Sequence, residues 1–249
     1  SSVVLFSDVS KIPSTEERLT TIWNIEDSPT KYAKNVSYYF DTIRKVPIRM
    51  EVVTKNQCRD TLYDTLQVNP TPKADFSSND VCYSDTSFLI NTSTISSGVI
   101  DNYIWEFPDS EGSSDPSTKY YLKDSGSYVI TLTVVSDSGC SDLVSGSIYK
   151  YPNFNVSYTF NDTCFGNGNI FKNTSSIDGG NFTDTLWTTS TFDTASTYDF
   201  SRQFSNPGTY SIKLLMEQDS ICRDSFVQDI TVNPLPFPDF DVSSTCFGD

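Results

Sequence analysis

The chain has six cysteines and no histidine, so the first chemistry open to it is that of thiols. A Ser-His-Asp or Cys-His nucleophile is excluded, because no imidazole is present to take the proton. Zinc is disfavoured for the same reason, and no C-x-x-C occurs. What remains for the thiols is pairing. Cys58, Cys140 and Cys222 are spaced by 82 in the numbering, and Cys82, Cys164 and Cys246 keep the same interval. The first set sits in the related strings "TKNQCRD" (54–60), "SDSGCSD" (136–142) and "QDSICRD" (218–224), beside turn residues and not within apolar runs. That placement argues against free thiols acting as small buried hydrophobes. Matched pairs of cysteines point to an oxidising, extracellular setting. Six cysteines leave fifteen pairings formally open.

The rest of the inventory excludes reactions. Paired carboxylates for acid–base work need a pocket, and the acids here are dispersed through turns. Neither G-x-x-x-x-G-K-[ST] nor G-x-G-x-x-G is present. "CFGNGN" (164–169) follows no βαβ pattern and reads as a turn. The formal charge of −15, from 32 acidic and 17 basic residues, repels phosphate backbones and argues against nucleic acid as a partner. No run of about 18 apolar residues exists, so no membrane insertion is expected. The N-terminus carries no basic and apolar leader. The expectation is a non-enzymatic chain without a resident cofactor.

The elements that hold the cysteines repeat with them. Trp23, Trp105 and Trp187 share the spacing of the cysteines, as do Pro70, Pro152 and Pro234. A repeat of that length is too long for a solenoid unit and right for a small domain. "YVITLTV" (128–134) sets Tyr128, Ile130, Leu132 and Val134 on one face, and the stretches at 46–52 and 210–216 do the same. Period two with one apolar face is a half-buried strand. A turn and a second strand ending in Leu66, Ile148 or Ile230 complete an antiparallel hairpin. A strand runs through each tryptophan, another through "TSFLINTS" (86–93) and "GNIFKNTS" (168–175), and a short one is centred on Phe76, Tyr158 or Phe240. No helical periodicity is found. About seven short strands per unit fit a β-sandwich.

"YIWEFPDS" (103–110) followed by "DSGSYVITLTVVSDSGCSD" (124–142), with "NPGTYSIKLLMEQDSICRD" (206–224), resembles the PKD domain, an immunoglobulin-like sandwich. "WNIEDS" (23–28) matches the family's Trp-Asp string in part, and "WTTSTF" (187–192) keeps only the tryptophan. The resemblance implies an all-β chain of tandem PKD-like sandwiches: 1–69 lacking its first strand, 70–151, 152–233, and 234–249 as the first strand of a further repeat. With a cysteine before the second strand and another in the last hairpin, the pattern is similar to tandem repeats of giant cell-surface and gliding-motility adhesins of Bacteroidota, exported by the type 9 system. It therefore implies an extracellular, structural segment cut from a longer array. Its partners would be neighbouring repeats and an unidentified surface glycan or protein. A carbohydrate- or protein-binding module, and a non-catalytic appendage of a secreted hydrolase, are the alternatives.

Strand order in such a sandwich carries the chain from a leading pole to a trailing pole. Cys82, after the first strand, lies at the trailing pole, and Cys140, in the last hairpin turn, at the leading one. From Phe76 to Cys82 is about six residues, or ~20 Å, whereas a disulfide needs Cα atoms within ~7 Å. Cys82–Cys140 and Cys164–Cys222 are therefore too distant, and the expected pair is Cys82–Cys222, across two units. Cys58, Cys140, Cys164 and Cys246 are then assigned to neighbouring repeats, with a cysteine expected immediately ahead of Ser1. Asp27 and Asp109 occupy the position of a calcium-binding acid in some PKD domains, so Asp109, Glu111 and Asp115 are candidate calcium ligands. The Asp-Thr or Asp-Ser pattern at Thr42, Thr61, Thr65, Thr185, Thr194 and Ser220 is similar to the O-glycosylation motif of Bacteroidota, although Asp-Thr is also a common pair beside turns.

Overall fold

A computed structural model describes all residues except 1, 27, 162, 245, 246 and 249. The described residues form strands and turns without a helix, in a series of β-sandwiches. In the second sandwich one sheet runs Gly112–Ser113, Ile100–Glu106, Gly126–Ser136, Ser141–Lys150, and the facing sheet runs Thr118–Tyr120, Ser87–Asn91, Phe76–Ser77. The long hairpin has one register in all three units, with Val46 opposite Leu66, Tyr128 opposite Ile148 and Tyr210 opposite Ile230.

Alternation explains the layers. Along Gly126–Ser136, Ile130, Leu132 and Val134 face inward with no exposed surface, while Val129 on the other face is 60% exposed. Each of those inward side chains contributes roughly 1.5–3 kcal/mol on burial. Three separate cores result, around Trp23, Trp105 and Trp187. Each tryptophan must also satisfy its indole N–H. Trp23 donates to the Ala33 carbonyl at 2.9 Å, Trp105 to Asp115 at 3.0 Å and Trp187 to Thr197 at 3.0 Å, always ten positions downstream. Replacing Trp105 by Ala is expected to cost about 3–5 kcal/mol. Urea unfolding followed by circular dichroism measures it; a loss below about 1 kcal/mol would contradict a core role.

The first strand closes each sandwich. Phe76 stacks edge-on against Trp105, with ring centroids 5.3 Å apart. A Cβ added at Gly146 would lie 2.8 Å from the Phe76 ring, so glycine there makes room for the aromatic. In the first sandwich the corresponding place is an open groove of about 390 Å³, lined by Trp23, Ile48, Met50, Leu62 and Leu66 among others. Residues 234–244 form no strand, and Phe237, Phe240 and Val242 are 99%, 85% and 77% exposed. Their counterparts around Phe76 and Tyr158 pair with Ser87–Asn91 and Gly168–Asn173. A strand without a partner has neither its hydrogen bonds nor its apolar contacts.

Candidate functional site: a disulfide-tied joint

The second and third sandwiches meet at Tyr151-Pro152, and the chemistry of the chain concentrates there. The last hairpin of the third sandwich turns through Asp219 and Ser220, both with positive φ (51° and 59°). Asp and Ser carry short side chains, and Asp in particular tolerates that region better than most residues. The turn delivers Cys222, which is 1% exposed. On the opposite side, Val81 bridges Lys150 in parallel. Its N–H donates to the Tyr149 carbonyl at 3.0 Å, and the Tyr151 N–H donates to the Val81 carbonyl at 2.9 Å. The Asp80 carboxylate accepts the Tyr149 N–H at 2.7 Å. Residues 80–82 are thus fixed against the last strand before the joint. A disulfide joins Cys82 to Cys222, with Cα atoms 5.5 Å apart and a sequence separation of 140. It crosses from one sandwich to the next, beside the peptide connection.

Buried side chains line the joint. Tyr151 is 7% exposed. Burial pushes its phenol up, and Asp219 of the next sandwich adds to the shift. Lys150 has no exposed surface. Its Nζ donates to the Leu122 carbonyl and, at 3.5 Å, to that of Lys123. The Tyr83 and Tyr121 rings flank it at 4.8 and 4.6 Å. Burial pulls the ammonium below the ordinary lysine value, and Asp124 opposes the shift. The counterparts Val68 and Val232 are apolar. A charged residue in an apolar register position is the sequence signal for this site, and strand pattern alone passes over it.

The lowered pKa has a defined sign. Below the ordinary lysine value of 10.5, the unfolded chain holds the proton more firmly than the folded one, so this group's contribution to stability rises with pH through that window. Wild type should gain on Lys150→Val as pH climbs from about 7 toward the ordinary lysine value. Urea midpoints of both chains across the range measure it, and parallel curves would contradict the shift.

The other cysteines lie at equivalent poles. In the last hairpin of the second sandwich, Cys140 donates its N–H to Ser136 Oγ at 3.1 Å, and the Ser136 N–H donates to the Cys140 carbonyl at 2.8 Å. Cys58 repeats the arrangement with Thr54, at 3.3 and 3.0 Å. Cys164 is exposed at the trailing pole of the third sandwich, where Thr163–Cys164 pairs in parallel with Val232 and Asn233. Cys58, Cys140 and Cys164 are free thiols. Cys246 and Asp27 lie outside the described residues.

The structure does not assemble the calcium site. Asp109 accepts the Glu111 N–H at 3.2 Å and faces the Tyr120 hydroxyl, whose pKa is raised by burial first and by this carboxylate second. The Asp115 carboxylate lies 3.4 Å from Ser113 Oγ, and its main chain is committed to Trp105. Local turn bonds thus occupy the Asp109 and Asp115 carboxylates, and among the described residues no three His, Cys, Asp or Glu side chains converge to hold a metal. Of the hydroxyls expected to carry glycans, Thr42, Thr65, Thr194 and Ser220 are exposed, and Thr61 and Thr185 are half-buried.

Comparison with known proteins places this geometry. Residues 67–147 match the family model described as PKD domain. A stretch of 99 residues, 39% of the chain, is 33% identical to the pre-pro-metalloprotease PrtV of Vibrio cholerae, and spans 11% of that protein's length. The solved PKD1 domain of PrtV is 28% identical, over 33% of this chain and 98% of that one, with a TM-score of 0.28. The PKD1 domain of Vibrio anguillarum Epp is 23% identical, over 33% and 96%, with a TM-score of 0.32. The three N-terminal domains of the bacteriophage RB49 outer capsid protein Hoc align over 91% and 90% at 11% identity, with a TM-score of 0.45. Residues 67–147, the central sandwich and its hairpins, therefore carry the PKD-domain pattern.

Proposed function

We propose that this chain is a structural, non-enzymatic segment of an extracellular adhesin or surface filament. In this reading it is a string of sandwiches whose joints are held at two points. The observation that carries it is the disulfide from Cys82 to Cys222, which runs between sandwiches where a single domain would close on itself. A bond in that place fixes the relation of the two partners. The net charge of −15 would keep neighbouring strings apart. In its narrowest form the reading makes the parent a gliding-motility adhesin of the type 9 export route, with sugars on hydroxyls such as Thr42, Thr65 and Thr194.

The match to PrtV favours a second reading, a non-catalytic appendage of a secreted hydrolase. Antibody against this chain, applied to intact cells of the source organism, separates the two. Labelled filaments on the cell surface are expected. Antigen found only in the medium, on a chain that also carries a catalytic domain, would replace the filament with the appendage.

A further inference from the structure

We infer that Cys140 and Cys164 are cross-linking sites, and that every joint of the array is stapled as the second one is, so that two interleaved covalent ladders make the string nearly inextensible. The inference rests on the reading of the chain as an array. Its first support is the joint between the first and second sandwiches. The strand Ser2–Ser7 pairs with Asn35–Phe40, Ser2 opposite Phe40. Its N-terminal end therefore runs toward Asp41. Val4, Phe40, Asp41 and Cys140 line one groove of about 400 Å³ at this joint. In the repeat register the position ahead of Ser1 corresponds to Cys82, and Cys140 corresponds to Cys222. The partner position of Cys140 thus stands just ahead of Ser2–Ser7, as Cys82 stands just ahead of Ser87–Asn91, and that strand runs toward the Cys140 groove.

The second support is arithmetic. Each bond joins positions 140 apart, which is most of the length of two repeat units. Only the short segment from Cys222 to Cys246 then separates one bond from the next, which skips forward again. The equivalent path from Cys140 to Cys164 runs along the strand Ser141–Lys150 and then through Tyr158–Phe160 of the next sandwich, both already extended. Fully stretched it reaches about 84 Å, plus 5.5 Å across the bond. Two folded sandwiches span roughly 70–80 Å, from strands of about nine to eleven residues with a turn at each pole. Complete unfolding could therefore lengthen the string by only about a fifth, whereas two unlinked units would reach roughly 570 Å. The ladder through Cys140 and Cys164 runs one unit out of step with the ladder through Cys222 and Cys246. Two covalent strands then cross every sandwich.

Each bond forms by thiol–disulfide exchange. One thiolate of the pair attacks a disulfide-bearing oxidant, protein or small molecule, and expels one thiol. The second thiolate then displaces the other. Two electrons pass to the oxidant, which leaves as two thiols.

The test is this chain with one cysteine placed ahead of Ser1, oxidised with glutathione disulfide and digested without reduction. The added cysteine is expected on the Cys140 peptide, with Cys82–Cys222 intact. Pulled by its ends, the molecule should then be shorter at full extension by about 24 residues, or roughly 80 Å, than the same chain carrying Cys140→Ser. An added cysteine that stays alkylatable, or that pairs elsewhere while Cys82–Cys222 forms, overturns the ladder and leaves the surface-filament reading standing. Surface labelling of cells tests that reading separately.

Discussion

Reducing the Cys82–Cys222 bond should lengthen the fully stretched chain by roughly 480 Å, at about 3.3–3.6 Å for each residue that the bond bypasses. With the bond intact, a force applied at the two ends passes from the N-terminal segment through Cys82 directly to Cys222, and the 140 residues of separation bear none of it. That hidden length is released only when the sulfur bridge opens. Most of the third sandwich, and the greater part of the second, lie inside the loop. Both could unfold without adding to the reach of the molecule. Single-molecule extension in the presence and absence of a reductant measures the step, and Cys82→Ser should show the long form throughout. Equal contour lengths with and without reductant would mean that the bond does not form in solution, and the tied joint would go with it.

What could be read from the sequence follows the physics of each signal. The hairpin strands were legible because alternation is local, and Ile130, Leu132 and Val134 are buried on one face as the pattern requires. The tryptophan strands were legible because each unit repeats one large core residue beside an apolar neighbour, as at Ile22-Trp23, Ile104-Trp105 and Leu186-Trp187. The position of Cys82 against Cys222 needed only the direction of two strands. Three features did not show. Lys150 is charged, and its burial depends on two tyrosines and two carbonyls from distant parts of the sandwich. Gly146 reads as a weak strand residue until Phe76 is laid across it. The buried Asp8, paired with Arg18 and accepting from Thr21, joins a strand end to its neighbour through side chains alone. The calcium candidates stay apart for a related reason. Spacing put Asp109, Glu111 and Asp115 in one turn, but the Asp109 and Asp115 carboxylates are turned toward local partners that spacing does not reveal.

Cutting the bond should also change how the sandwiches move as folded bodies. A single peptide connection leaves the torsions around Tyr151-Pro152 free to bend and swivel the joint. Proline restricts one of them, and the buried Tyr151 side chain and the Val81–Lys150 bridge hold only the N-terminal side. The disulfide adds an attachment on the C-terminal side, at Cys222 in a hairpin that is itself rigidly paired, Gln218 opposite Cys222. Two attachments define an axis and leave only rotation about it. The second and third sandwiches, roughly 35–40 Å each, would then move as one rod of about 70–80 Å, and should hold a narrow distance distribution. Cys82→Ser keeps every strand and both cores, so its circular dichroism should not change. Its distance distribution between spin labels placed in the second and third sandwiches should broaden severalfold, and its scattering should shift toward that of jointed beads. The joint between the first and second sandwiches supplies the internal control. It has no bond in this chain, because Cys140 is a free thiol, and labels across it should show the broad distribution in wild type and variant alike. A narrow distribution at both joints, unchanged by Cys82→Ser, would assign the stiffness to packing and not to the sulfur bridge.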